Sequence, residues 1–141
     1  MKILIPILGF ARAGGYRVLS EFASCWKRAG HTIHFHVPNT SGPPYFPTEA
    51  EILLSDRSGR VSKGTPVSFR NVAFQVVDNL VKLYRGLNSI GNNYDIILAN
   101  QSLTTWPVRF AHAGHAKKFY YIQAYEPEYY VLERQPIKWI L

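Results

Sequence analysis

The chain has a single cysteine, Cys25, in 141 residues. One thiol excludes a disulfide scaffold and any zinc site built on cysteines. Acidic residues are scarce: nine Asp+Glu face sixteen Lys+Arg, a formal charge of +7 with a pI near 9.7. No apolar run approaches the roughly 20 residues of a membrane span. The opening MKILIPILGF is too short for a signal-peptide core with its cleavage site. Charged residues at 18% and apolar ones at 47% exclude a disordered tail. Aromatics are plentiful, with nine Tyr, eight Phe and three Trp, so a domain of this size can close a sizeable core. One cytoplasmic globular domain is the expectation.

The positive balance admits an anionic partner, but its distribution argues against nucleic acid. Basic residues are spread singly, apart from a loop with Arg57, Arg60 and Lys63 and the pairs Lys27-Arg28 and Lys117-Lys118. No basic stripe with interleaved aromatics appears, and no RNA-binding or zinc-finger spacing. No nucleic-acid partner is expected. The basic loop, with Tyr45, Phe46 and Phe69 nearby, suits weak contact with the anionic inner face of a membrane.

The apolar pattern alternates between the strand and helix periods. Lys2 to Leu8 reads as a buried strand, followed by a glycine-containing loop, Gly9 to Gly15. From Tyr16, the residues Leu19, Phe22, Ala23 and Trp26 define one helical face, with Cys25 packed on that helix. Lys27 and Arg28 suit its negative end, and Gly30 stops it. Thr32 to Val37 alternates, with Ile33, Phe35 and Val37 on one side. Asn39 to Pro47 is turn chemistry, Ile52 to Leu54 a short strand, and Ser55 to Pro66 a polar, mobile stretch. A long helix is expected from about Arg70 to Gly91, then a strand over Tyr94 to Ala99. Ser102 can cap a helix running to about Gly114. A strand over Lys118 to Gln123 and a helix over Glu128 to Leu141 follow, the latter interrupted by Pro136. Strands alternating with helices predict an α/β, Rossmann-like parallel sheet with flanking helices.

Ligands of such sheets bind outside the carboxyl ends of the strands, where the strand order reverses. GFARAGG sets Gly14 and Gly15 against a helix start, where unpaired N–H groups and the positive dipole end receive anionic oxygens. Arg12, Tyr16 and Arg17 flank it. It is neither GxGxxG nor a P-loop, and a plain turn before a helix accounts for it equally. Asn100, Gln101 and Ser102, just past an apolar strand, can bond sugar hydroxyls or simply cap the next helix. Gln123, Tyr125, Glu126 and Glu128 hold the equivalent place after the last strand. Carboxylates at a helix start are stabilising in their own right.

No metal site is expected. His34 and His36 share one side of their strand without a third ligand at a telling spacing. His112 and His115, read as one helical turn apart, lack the glutamate of an HExxH site. Ser20, Ser24 and Ser102 lack a nucleophile elbow, so hydrolase chemistry is not supported.

Three segments carry a family resemblance. The first strand, its GG loop and GYRVLSEFASCWKRAGHTIHFHVP resemble the amino-terminal start of retaining, two-domain glycosyltransferases of the group 1, GT-B type. YDIILANQS is similar to their later strand and loop. FYYIQAYEPEYY resembles a segment of their rhamnosyl- and mannosyltransferase relatives. The likeness spans most of the chain except about residues 48 to 68. It implies two Rossmann-like domains around a cleft, with acceptor binding largely in the first and nucleotide-sugar binding in the second. It also implies that Gly14 and Gly15 approach the donor phosphates or the acceptor. Some members carry His where this chain has Gln123, and many an acidic residue where it has Ala124; Gln123 can still bind the sugar.

By the same resemblance the chain is an incomplete first domain lacking its carboxyl-terminal donor domain, expected to be inactive alone. The implied partners are a nucleotide-sugar donor, used as co-substrate with no further cofactor, and a glycan or lipid-linked acceptor. Two other readings stay open from the residues: a non-catalytic nucleotide- or carbohydrate-binding module, and a nucleic-acid-associated protein.

Overall fold

Ile and Leu alternate from Lys2 to build β1 (Lys2–Pro6), with Ile3, Ile5 and Ile7 buried on one side and Leu4 on the other. Burial on both faces is the mark of a central parallel strand. This computed structural model describes residues 1–66 and 75–123. β1 is followed by α1 (Gly14–Arg28), β2 (Thr32–Pro38), β3 (Glu51–Ser55), β4 (Val61–Lys63), α2 (Gln75–Ile90), β5 (Ile96–Ala99), α3 (Ser102–Phe110) and β6 (Lys117–Tyr120), with one 3-10 turn over Gly91–Asn93.

The six strands form one sheet in the order β4-β3-β2-β1-β5-β6, parallel throughout except for the β3–β4 hairpin. The chain leaves β1 toward β2 and later returns to β1's other side as β5. Crossovers of one hand in opposite directions put their helices on opposite faces. One core gathers Ile3, Ile5, Ile7, Ile33, Phe35 and Val37 beneath Leu19 and Ala23 of α1. The other joins Leu4, Leu53 and Ile97 to Leu87 of α2 and Val108 of α3. The fold is α/β and Rossmann-like. Among the described residues, no helix is long and apolar enough to cross a membrane.

Several boundaries differ from the sequence reading. β1 stops at Pro6, although Ile7 still packs in the core, because an asparagine side chain takes the place of the next strand bond. α1 turns Leu19, Ser20, Ala23 and Ser24 inward. Phe22 and Trp26 stack at its flank, ring centroids 5.5 Å apart, and Phe22 meets Tyr121 edge-on at 5.6 Å. Ser24 fits the sheet side because its Oγ donates to the Ser20 carbonyl (2.9 Å), which satisfies the buried hydroxyl. Cys25 is exposed, not packed. Gly30, at φ 85°, ends the helix as expected.

The polar stretch after Ser55 forms a hairpin with β4. Asp56 Oδ1 accepts from Ser58 N (2.8 Å) and Arg60 N (3.1 Å), and Gly59 takes a φ of 90° that a side chain resists. α3 is shorter than expected: Ala111 is extended and buried, so His112 and His115 lie in the following loop and are not a helical turn apart. Gln101, not Ser102, is its N-cap residue. β6 ends at Tyr120, short of Gln123. The expected start of α2 near Arg70 and the whole Glu128 to Leu141 helix lie outside the described residues.

Candidate functional site

The reversal of strand order at β1 opens a gap between the carboxyl ends of β1 and β5. Asn100, 1% exposed, spans it: its Nδ2 donates to the Pro6 carbonyl at 2.8 Å. Its Oδ1 is buried without a hydrogen-bond partner. Thr104, fully buried, holds this loop. Thr104 Oγ1 accepts from the backbone N–H groups of Asn100 (3.2 Å) and Gln101 (3.1 Å) and donates to the Gln101 carbonyl (2.9 Å).

Gln101 Nε2 donates to the Tyr16 hydroxyl at 2.8 Å, joining the β5–α3 loop to the first turn of α1. Burial raises the Tyr16 pKa and the Gln101 hydrogen bond partly opposes it, so Tyr16 is a neutral phenol at physiological pH. Gln123 closes the other side. A Cβ built on Gly15 would fall 1.8 Å from Gln123 Oε1, so glycine is what allows this side chain to lie against the helix start.

Gly14 and Gly15 are the first two residues of α1, and neither has a positive φ. Glycine at position 15 therefore serves close approach, not a left-handed turn. The N-cap residue, Ala13, has no side chain able to cap, and the first turn has no acidic residue. Among the described residues, no side chain caps the positive end of α1, and the Gln123 carboxamide lies against it. Tyr16 and Arg17 N–H groups bond back to the Ala13 carbonyl at 3.1 and 3.4 Å.

The structure thus gathers Gly14, Gly15, Tyr16, Asn100, Gln101 and Gln123 at one gap. The Arg12 guanidinium lies 5.4 Å from the Tyr45 ring centroid. Ser102 is the first residue of α3, with its carbonyl accepting from Thr105 Oγ1. Tyr125 and Glu126 lie outside the described residues.

A second polar cleft of about 570 Å³ opens at the ends of β2 and β3, lined by Asn39, Thr40, Asp56, Arg57, Asp78 and Lys82. Lys82 is 6% exposed, and its ammonium donates to Asp78 Oδ2 (2.7 Å) and Thr40 Oγ1 (3.2 Å). The sequence reading missed Lys82 and Thr104, because both sit inside helices whose pattern reports packing. A Thr at the third position of a helix was the one available signal for Thr104.

The histidines of β2 serve the fold. His34 Nδ1 meets the Tyr94 hydroxyl at 2.6 Å and Nε2 meets Glu51 at 3.0 Å. His36 is fully buried against Gly86 and Ser55, and burial pushes its pKa down to about 3. Among the described residues, no cluster of three His, Cys, Asp or Glu could hold a metal ion. The sequence matches no protein-family model and no curated protein.

Proposed function

We propose that this chain is the amino-terminal, acceptor-side unit of a glycosyltransferase that moves a sugar from a nucleotide-sugar donor to a glycan or lipid-linked acceptor. The observation that carries the reading is the gap at the strand-order reversal, where an uncapped helix start meets Tyr16, Asn100, Gln101 and Gln123. When a sugar leaves its nucleotide, negative charge builds on the diphosphate. Backbone N–H groups of Gly14 and Gly15 and the dipole of α1 stabilise that charge without reorganising. Tyr16, held neutral, donates hydrogen bonds to sugar or phosphate oxygens; it does not act as a base. Asn100, bridged to the Pro6 carbonyl, positions the loop that carries Gln101. The resemblance of the GG segment, YDIILANQS and FYYIQAYEPEYY to GT-B glycosyltransferases points the same way. The donor enters as co-substrate, and a cytoplasmic setting at the inner face of a membrane fits its use.

One observation favours the second reading, a non-catalytic nucleotide- or carbohydrate-binding module. Among the described residues, no carboxylate or imidazole is gathered at the gap, so binding is better provided for than proton transfer.

Titration of the ¹⁵N-labelled chain with nucleoside diphosphates and their sugars tests the site. The amides of Gly14, Gly15 and Tyr16 should shift at millimolar ligand, less so as salt rises. Unmoved amides at these positions would remove the gap from consideration. Transfer assays with a panel of nucleotide sugars, run with a donor-binding domain supplied, separate enzyme from module: binding without turnover leaves the module.

A further inference from the structure

The outer surface of α2 and α3 carries apolar side chains that neither core uses. Val77 is 60% exposed and Phe110 58%, with Val76, Tyr84 and Trp106 also outside. A groove of about 300 Å³ runs between the two helices, lined by Val77, Leu80, Val81, Tyr84, Trp106 and Phe110 beside Pro107. Trp106 and Phe110 stack at 5.5 Å with ring planes 24° apart, and the Arg109 guanidinium lies 5.8 Å from the Phe110 centroid. A contiguous apolar patch of this kind marks a contact surface.

The charges of the two helices say what kind. Asp78, Lys82, Arg85 and Arg109 are their charged residues. The one carboxylate, Asp78, is paired with Lys82 at 2.7 Å and approached by Arg57 at 3.7 Å. Arg109 is exposed beside the Trp/Phe groove in a chain of net charge +7, while the Arg85 guanidinium donates to the Arg57 carbonyl of the hairpin. Tryptophan, phenylalanine and arginine on one helical surface suit the boundary between lipid headgroups and acyl chains.

Of the residues expected from sequence at a membrane contact, Tyr45, Arg57 and Lys63 are also exposed. Tyr45 packs on Phe46 and under Arg12, Arg57 lies beside Asp78, and Lys63 is paired with Glu51 at 2.8 Å. Phe69 lies outside the described residues.

We infer that the α2–α3 face seats on an anionic lipid surface, with Trp106, Phe110 and Val77 at the acyl boundary and Arg109 among the headgroup phosphates. The inference stands on exposed side chains and charge, so it survives or fails independently of sugar transfer. In this orientation the sheet stands with one helical layer on the bilayer, and the gap at the strand ends opens along the membrane plane.

Vesicle sedimentation and tryptophan fluorescence test it on the full 141-residue chain. The chain should bind phosphatidylcholine vesicles containing phosphatidylglycerol at least about tenfold more tightly than phosphatidylcholine alone, and high salt should reverse the gain. In a Trp139→Phe background, doxyl-labelled lipid should quench Trp106 and spare Trp26 on the opposite face of the sheet; Trp106→Phe should abolish the quenching. Val77→Asp with Phe110→Asp should lower binding about tenfold with an unchanged melting temperature. Phe110→Leu should bind like the parent. Equal binding by parent and double variant, no preference for anionic vesicles, or quenching that survives Trp106→Phe would overturn the inference. So would a lipid-free dimer in sedimentation equilibrium that the double variant dissolves, which would make this face a self-association surface.

Discussion

At the amino edge of the sheet the polar groups are closed on one another, whereas at the carboxyl edge several have no protein partner. Lys2 N donates to Asp95 Oδ2 at 2.7 Å, and the Asp95 backbone bonds both Lys2 and Lys117 at 2.9 Å. Tyr94, His34, Glu51 and Lys63 follow as a continuous chain of 2.6, 3.0 and 2.8 Å contacts. Toward the other edge, Asn39 Oδ1, Ser41 Oγ and Asn100 Oδ1 are buried and unpartnered, as are both ring nitrogens of His36. Among the described residues, the buried polar side-chain atoms without partners all lie toward that edge. Satisfied networks rigidify a fold, while orphaned groups cost stability and are retained where a ligand or water completes them. One edge of this sheet closes its polar groups on one another; the other carries the unsatisfied ones.

The contrast should show most strongly in acid. Burial holds the His36 pKa near 3, while an unfolded histidine titrates near 6.5. Between those values the unfolded chain binds a proton that the native chain refuses. Stability therefore falls as pH drops through this window, by about 1.4 kcal/mol per unit, and is unaffected above pH 7. Urea melts at stepped pH should reveal this slope, and His36→Leu should flatten it. A parent curve as flat as the variant's would clear His36 of the effect.

Next in size is Tyr94→Phe at the amino edge. It strips a hydroxyl from His34 Nδ1 and should cost about 1–2 kcal/mol, with diphosphate binding unchanged. Altered binding in that variant would mean that the two edges are coupled after all. Thr104→Val, at the carboxyl edge, should cost about 1 kcal/mol and also weaken the ligand, because it releases the Asn100 and Gln101 amides. Calorimetric melts and the same titration check both.

The smallest effects separate the paired glycines. Gly14 has open space where a Cβ would go, so Gly14→Ala should raise stability by about 0.5 kcal/mol through helix propensity alone. Gly15→Val should barely move the melting temperature, because the atom it meets is the end of the flexible Gln123 side chain, yet it should cut ligand affinity several-fold. A folded Gly15→Val chain with unchanged binding would remove this glycine from the site.

Much of the fold could be read from periodicity, because Ile3-Ile5-Ile7 and Ile33-Phe35-Val37 alternate against the same core. The hairpin after Ser55 was hidden by its polar composition, although an Asp followed three residues later by Gly is a turn signal in its own right. The inward face of α1 was misread by a step, since Ser20 and Ser24 look solvent-facing until Ser24 is seen bonding its own helix. The loops at the strand ends were legible, as were Gly15, Tyr16, Asn100 and Gln101 within them. The Tyr16–Gln101 bond joins positions 85 apart, and no local pattern encodes such a pairing. The buried Lys82 escaped notice for a related reason: Asp78 is four residues back on its own helix, but its second acceptor, Thr40, comes from the distant loop after β2.

The bridge from Asn100 to the Pro6 carbonyl has a consequence for how anything enters the gap. The two strands are splinted at a spacing set by the length of one carboxamide side chain, fixed at both ends by 2.8 Å and 3.2 Å hydrogen bonds. A ligand arriving there does not have to prise strands apart or wait for a rare open form. The entropy of arranging that mouth was surrendered when the chain folded, so little of the binding energy is diverted to ordering the protein. Shortening the splint with Asn100→Ser would let the mouth breathe, and the penalty would appear as an unfavourable binding entropy with the hydrogen-bonding partners of the ligand otherwise unchanged.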